Sequence, residues 1–241
     1  MSDAMLNVER LSAWYGAARI LFDLSIEVGR GEVVALMGRN GAGKSTTMKA
    51  IMGLVDRAGR IALNGDDISR MKPYEIARRG LGYTPEDRRI FADLTVMENL
   101  DVGRQAPRHF ADGMPAPSFT PQTVFELFPN LAEMPNRLGG RMSGGEQQML
   151  TVARTLMGNP FLLLLDEPSE GVSPLVVEKM AHAILSLKEQ GLSILLSEQN
   201  VHFARLVSDR VYVLEKGQQR WTGSMAELDR NEEIQRAFLT L

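Results

Sequence analysis

Five consecutive apolar residues, Val33 to Met37, run directly into Gly38-Arg39-Asn40-Gly41-Ala42-Gly43-Lys44-Ser45-Thr46. The apolar run is short for a helix and suits a strand buried on both faces, the pattern of a parallel sheet. The segment after it fits G-x-x-x-x-G-K-[ST], whose glycines let backbone N–H groups curl round phosphates without side-chain obstruction. A helix from about Lys44 to Gly53 adds the positive end of its dipole. Lys44 then places a point charge at the outer phosphate oxygens, Ser45 offers a hydroxyl to Mg²⁺, and Thr46 can donate to an inner phosphate. A plain glycine turn is the competing reading, but strand, loop and helix in that order favour an α/β fold that binds a nucleotide.

The rest of the chain is consistent with that choice. Leu24, Ile26 and Val28 alternate with Ser25 and Glu27, and Asn64-Gly65 after Arg60 to Leu63 is a hairpin signal, so the first third also carries antiparallel strands. Pro73 opens a short helix closed by Gly80. The stretch from about 87 to 159 reads as mostly helical, with Thr95 and Glu98 spaced as a capping box. Within it, Arg104 to Pro121 holds four of the eleven prolines and reads as an exposed loop between helices. After 160 the βα alternation resumes: Phe161 to Leu165 is a buried strand, Pro174 opens a helix that Gly191 stops, and Leu192 to Ser197 and Asp209 to Leu214 are strands. Glu215 to Gln218 turns a hairpin, and the tail from Ser224 reads as helical.

Composition limits the remaining possibilities. The 241 residues suit one large domain or two small ones, and 44% hydrophobic content supplies a core. A net charge of −3 without a basic tract gives no general attraction to nucleic acid or anionic lipid. The absence of cysteine excludes disulfides and thiolate metal sites. Met1 to Arg10 lacks the apolar stretch of a secretory signal. The apolar runs fall far below the roughly 20 residues that span a bilayer, so any membrane role is expected to come through a partner.

Two further motifs carry chemistry. Asp166-Glu167 follows a buried strand and should emerge at the carboxyl edge of the sheet, where ligands bind in open α/β folds. There Asp166 could hold Mg²⁺ through water and Glu167 could polarise an attacking water. Ser143-Gly144-Gly145-Glu146 matches S-x-x-E, a capping box before the amphipathic run Met149 to Met157. A Ser cap followed by two glycines also leaves helix N–H groups exposed as an anion site.

In this order, the phosphate loop, Ser143-Gly144-Gly145-Glu146-Gln147 and the apolar run with Asp166-Glu167 resemble the ATP-binding subunits of ABC transporters, and the likeness covers essentially the whole chain. It implies a P-loop NTPase ABC cassette with a RecA-like mixed core (about 1–86 and 160–241), an antiparallel β subdomain and a helical subdomain (about 87–159). ATP and Mg²⁺ are the implied cofactors. Residues 38–46 would bind ATP, Tyr15 would stack on adenine, and Ser45, Asp166 and Glu86 would attend the metal. Lys44, Glu167 and Gln199 would be catalytic. In that family two subunits pack head to tail, so Ser143, Gly144, Gly145 and Glu146 would face the ATP of a partner, either a sister ATPase or a second copy. Hydrophobic permease subunits would hold the chain at the cytoplasmic face of the plasma (inner) membrane. An external solute-binding protein would act only indirectly, and no nucleic acid is expected.

Tyr83 to Phe91, Asp166 to Gly171 and Glu198-Gln199-Asn200 look like the second ATPase subunit of branched-chain amino-acid importers, to which urea and short-amide subunits are closely similar. Three positions depart from the general family. Glu86 stands where most members have a glutamine, Gln199 where most have a histidine, and Ser173 where many have an aspartate. Gln199 can donate a hydrogen bond but can never be cationic, which implies slower hydrolysis at this chain's own site. His202 reads as a helix-surface residue rather than a substitute. The Asp87-Arg88-Arg89 cluster reads as a solvated turn or as part of a permease contact. Soluble ABC proteins with coiled coils, zinc cysteines or basic tracts, and P-loop kinases or GTPases, lack support in these residues.

Overall fold

The computed structural model describes residues 4–239. In chain order the elements are β1 (Ala4–Tyr15), β2 (Ala18–Gly29), β3 (Val33–Met37), α1 (Lys44–Ile51), β4 (Asp56–Leu63), β5 (Asp66–Asp67), α2 (Pro73–Arg78) and β6 (Leu81–Thr84). Then come α3 (Val96–Gly103), α4 (Pro121–Leu127), α5 (Pro129–Ala132), α6 (Gly144–Leu156), β7 (Leu162–Asp166), α7 (Pro174–Glu189) and β8 (Ser193–Glu198). The described residues end with α8 (Val201–Val207), β9 (Arg210–Glu215), β10 (Gln218–Ser224), α9 (Met225–Arg230), α10 (Glu232–Ile234) and a π-helical turn over Gln235–Leu239.

Two sheets result. One is antiparallel in the order β2-β1-β4-β5; the other runs β10-β9-β3-β8-β7-β6, parallel except for β10. The continuous apolar runs are explained by burial on both faces. Leu162, Leu164 and Leu195 face the antiparallel sheet and the Met48 and Ile51 side of α1. Leu163, Leu165, Ile194 and Leu196 face Leu100 of α3, Leu150 and Leu156 of α6, and Ile184 and Leu187 of α7. The molecule is therefore layered as antiparallel sheet and α1, mixed sheet, then helices, which matches the expected α/β class.

Local signals operate where expected. Asn64 (φ 49°) and Gly65 (φ 86°) turn β4 into β5, and Lys216 (φ 49°) and Gly217 (φ 74°) turn β9 into β10. Thr95 caps α3 by accepting from Glu98 N–H, while the Glu98 carboxylate accepts from Thr95 N–H. The helix from Lys44 stops at Ile51, two residues short of Gly53, whose φ of 76° already belongs to the turn.

One expectation is corrected. The 104–121 stretch is not simply an exposed loop, because Phe110, Ala116 and Phe119 are buried. The Arg30 guanidinium lies 3.6 Å over the Phe110 ring and pairs with Asp112 at 2.8 Å. Buried Asn159 donates to Gln105 C=O and accepts from Phe119 N–H. Prolines end helices, but the two phenylalanines between them still find apolar cover, and that outweighs the polar look of the segment.

Candidate functional site

The phosphate-loop pattern lies where β3 ends and α1 begins, at the carboxyl edge of the parallel strands. Gly38, Gly41 and Gly43 have φ of 150°, 80° and 106°, a region that residues with a Cβ seldom enter. Gly38 must also be glycine for space, since a Cβ there would lie 2.3 Å from Leu214 C=O. The β9–β10 hairpin backs the loop. Gly217 N–H donates to Ala42 C=O and Gly217 C=O accepts from Phe22 N–H, each at 2.9 Å.

Lys44 is almost fully buried and its ammonium donates to Gly38 C=O at 3.0 Å. It also pairs with Glu167 Oε1 at 3.1 Å, and both side chains are under 10% exposed. Gln199 Nε2 donates to Glu167 Oε2 at 2.9 Å. Burial opposes ionisation of Glu167, but hydrogen bonds from Glu170 and Gln199 and the Lys44 charge outweigh it and hold the carboxyl below its ordinary range. Glu167 itself has φ 49°, so a strained backbone aims this side chain. Three residues far apart in sequence thus meet at one point. Gln199 is oriented toward Glu167 in this structure.

Asp166 is buried beside them. Ser197 Oγ donates to its Oδ1 at 2.6 Å and Tyr83 OH to its Oδ2 at 3.3 Å. Burial, then the Asp166 charge, pushes the Tyr83 phenol well above its ordinary range, so it remains a donor. Sequence reading singled out none of Tyr83, Ser197, Glu170 and Glu198 as site residues. Glu198 is buried and accepts from Ser169, Gln199 and Asn200 N–H, which fixes the turn that presents Gln199. Glu170 hydrogen-bonds Glu167, which with burial and nearby acids pushes its carboxyl up to about 7. A cue existed in the acids flanking Asp166-Glu167 and Gln199, but no spacing rule gives those residues a role.

Among the described residues, the other predicted ones make no side-chain hydrogen bond to Glu167 or Asp166, although the Glu86 charge acts on Glu170. Tyr15 ends β1 and is 46% exposed, so it is not a core tyrosine. Ser45 and Thr46 sit half-buried in the first turn of α1, and Arg39, Asn40 and Gly41 crest the loop. Glu86 is exposed on the segment after β6 and makes no ion pair among the described residues. Asp87 pairs with Arg89 at 2.7 Å on the surface, whereas Arg88 turns inward. His202 is exposed on α8.

Ser143 caps α6 as the spacing requires. Its Oγ accepts from Glu146 N–H at 3.3 Å and its own N–H donates to the Glu146 carboxylate at 2.7 Å. Gly144 and Gly145 form the first turn, pressed against neighbours. A Cβ on Gly145 would lie 2.6 Å from Val176 Cγ2, and one on Gly144 2.6 Å from Arg88 Nη1.

A model of the ABC transporter family matches residues 21–170. The high-affinity branched-chain amino acid transport ATP-binding protein BraG of Pseudomonas aeruginosa is 39% identical over 236 residues, covering 98% of this chain and 99% of that protein. The lipopolysaccharide export system ATP-binding protein LptB of Escherichia coli is 35% identical over 239 residues, covering 98% and 97%. A solved ATP-binding subunit of an ABC transporter superposes with a TM-score of 0.78 at 29% identity, covering 98% of this chain and 96% of that one. An ATP-binding cassette solved in its ADP conformation gives 0.78 at 28% identity, covering 95% and 94%.

Proposed function

This chain belongs to the ABC transporter family of ATP-binding proteins and is an ATP hydrolase, and on that premise we propose that it powers import of branched-chain amino acids through a membrane permease. The end-to-end likeness to BraG is the observation that carries the cargo.

In this reading ATP spans the two sheets. Tyr15 offers its exposed ring to adenine, and Gly38 to Thr46 wrap the phosphates with backbone N–H groups. The phosphates compete for the Lys44 ammonium and thereby free Glu167 Oε1, while Gln199 still orients the carboxylate through Oε2. Glu167 then polarises a water for in-line attack. Ser45 and Asp166 suit Mg²⁺, because this ion takes few protein ligands and fills its shell with water and phosphate oxygens. Asp166 is anchored by two hydroxyl donors and keeps lone pairs for a bound water, and Glu86 is the further carboxylate we assign. Mg²⁺ supplies charge neutralisation at the phosphate oxygens when bound.

We assign Ser143, Gly144, Gly145 and Glu146 to the ATP of a partner subunit packed head to tail, a sister ATPase or a second copy. The α3 to α6 stretch, about 87–159, serves as the helical subdomain. A cavity of about 480 Å³, lined by Leu54, Tyr83, Arg89, Phe91, Val102 and Arg154, is the docking groove for a permease segment. Leu54, Phe91 and Val102 are large apolar residues exposed there, and such a patch favours a protein partner. No helix among the described residues is long and apolar enough to cross a membrane, which leaves attachment at the cytoplasmic face to the permease.

The test is genetic and biochemical. Affinity capture of the chain from solubilised membranes should bring permease subunits, and Lys44→Ala in the cell should abolish uptake of labelled leucine. The 35% identity to LptB supports a second reading, lipopolysaccharide export. Intact leucine uptake with lost export would replace the first reading by the second.

A further inference from the structure

Three segments meet at Arg88: the one that carries Glu86, the loop after Glu167, and the first turn of α6. Its guanidinium lies against Gly144, occupying the space where a side chain at 144 would go, with Nη1 2.6 Å from the position of a Cβ. On its other side, a Cβ on Gly171 would be 3.8 Å from Nη2. Nε donates to Gln148 Oε1 at 3.3 Å. Gln148 is buried, and Arg88 satisfies only its amide oxygen, since its amide nitrogen has no partner among the described residues.

The backbone around Arg88 is committed to the same helix. Thr151 Oγ1 donates to Arg88 C=O and Arg154 Nη2 to Arg89 C=O, each at 2.7 Å. Thr84 Oγ1, at the end of β6, donates to Thr155 Oγ1 at 3.3 Å. Residues 144, 148, 151 and 155 share one face of a helix. The segment from Thr84 to Arg89 is therefore fastened to α6 at both its ends. Arg88 and Arg89 have φ of 62° and 46°, a conformation unfavourable for side-chain-bearing residues, so these bonds hold the segment in a shape it would not keep alone.

We infer that Arg88 is a positioning residue that couples this chain's own hydrolytic site to the Ser143-Gly144-Gly145 turn it presents to a partner. The inference rests on the reading of the two sites proposed above. A shift of the Glu86 segment or of the Gly171 loop, as the own site fills or empties, is delivered by one guanidinium to the start of α6. The ATP sites of a head-to-tail pair then report to each other through Arg88.

The test uses the assembled complex purified from membranes. Hydrolysis is followed against ATP concentration, and binding by the fluorescence of methylanthraniloyl-ATP. Arg88→Ala should lower kcat about tenfold and bring the Hill coefficient to about 1, with the probe's Kd within twofold of wild type. Arg88→Lys should not rescue, since an ammonium cannot lie on Gly144 and also reach Gln148. Gln148→Met should reproduce the loss, and the double variant should be no worse than either single one. Wild-type kinetics in Arg88→Ala overturn the inference, as does a loss of probe binding that matches the loss of turnover. A wild-type complex that hydrolyses ATP with a Hill coefficient of 1 also overturns it and leaves the ATPase reading standing. A wild-type complex without ATP hydrolysis overturns that reading instead, and the inference with it.

Discussion

Lys44 Nζ and Glu167 Oε1 are 3.1 Å apart and both side chains are almost fully buried, so the two groups assigned to act on ATP satisfy each other. A charge-assisted hydrogen bond of this kind contributes about 1.5–3 kcal/mol. Glu167→Gln weakens the competitor for Lys44 without emptying the pocket. Turnover should fall by about a hundredfold or more, as for loss of a general base. ATP affinity should rise by up to about tenfold, measured by calorimetric titration with a non-hydrolysable analogue. Unchanged affinity would show that the pair does not oppose binding.

Lys44→Ala takes the opposite side of the same pair. It leaves a buried carboxylate without its cation, a change that costs about 3–5 kcal/mol when nothing else compensates. Glu170 and Gln199 remain hydrogen-bonded to Glu167, so urea unfolding should show a loss at the low end of that range, together with weaker ATP binding. A variant as stable as wild type would mean that the pair contributes nothing to the fold.

Gln199→His tests the departure at that position. An imidazole can become cationic beside the developing phosphate charge, which an amide cannot. Hydrolysis by the assembled complex should accelerate several-fold. Because Gln199 also holds Glu167 Oε2, Gln199→Leu should slow it and raise the Glu167 pKa. No gain from histidine would show that the surrounding residues already compensate.

Two glycines separate conformational strain from steric exclusion. Gly16 has φ 57° and open space around it, so Gly16→Ala should cost only about 1–2 kcal/mol of left-handed strain. Gly217 has φ 74°, and a Cβ there would sit 1.7 Å from Ile20 C=O, which forces the β9–β10 hairpin away from β2 and the phosphate loop. Gly217→Ala should lose clearly more stability in denaturant melts and should weaken ATP binding, which Gly16→Ala should spare.

The raised carboxyl of Glu170 sets a pH dependence. Hydrogen bonding to Glu167, then burial and neighbouring acids, moves its pKa from an ordinary 4.5 to about 7. Between those values the folded chain holds a proton that the unfolded chain has released. The stabilisation is complete below about pH 4.5 and is lost as pH rises through 7. Glu170→Gln cannot lose that proton. Its melting temperature relative to wild type, without nucleotide, should rise from pH 5 to pH 7.5 and then level off. A pH-independent difference would remove Glu170 from the cluster.

Much of this arrangement is written in short-range patterns. Asn64-Gly65, Ser143 to Glu146 and the run from Val33 into Gly38 each encode local geometry within a few residues, and each forms as read. Pairings between distant segments are not encoded that way. β3 lies between β8 and β9, more than 150 residues downstream, and no local period specifies that order. For the same reason Lys44, Glu167 and Gln199 were legible as three chemical groups but not as one hydrogen-bonded cluster. Ser197 carries no motif, and Tyr83 opens the Tyr83 to Phe91 stretch without a role read for it there, since their part is to donate to a carboxylate brought to them by the sheet. The 104–121 segment misled because its prolines and polar residues hide two phenylalanines that find cover only in the folded chain.

Arg57 of β4 donates to Ala50 and Ile51 C=O at the end of α1, and to the C=O groups of Ile68, Ser69 and Met71. The helix whose first turn follows Gly43 is thus clamped at its far end to the antiparallel sheet. α1 works as a strut. Load applied at the phosphate loop travels along eight residues into the guanidinium and from there into the sheet that ends in Tyr15. Where ATP binds as proposed, with its phosphates on the loop and its adenine on Tyr15, recoil at one end of the nucleotide would be felt at the other.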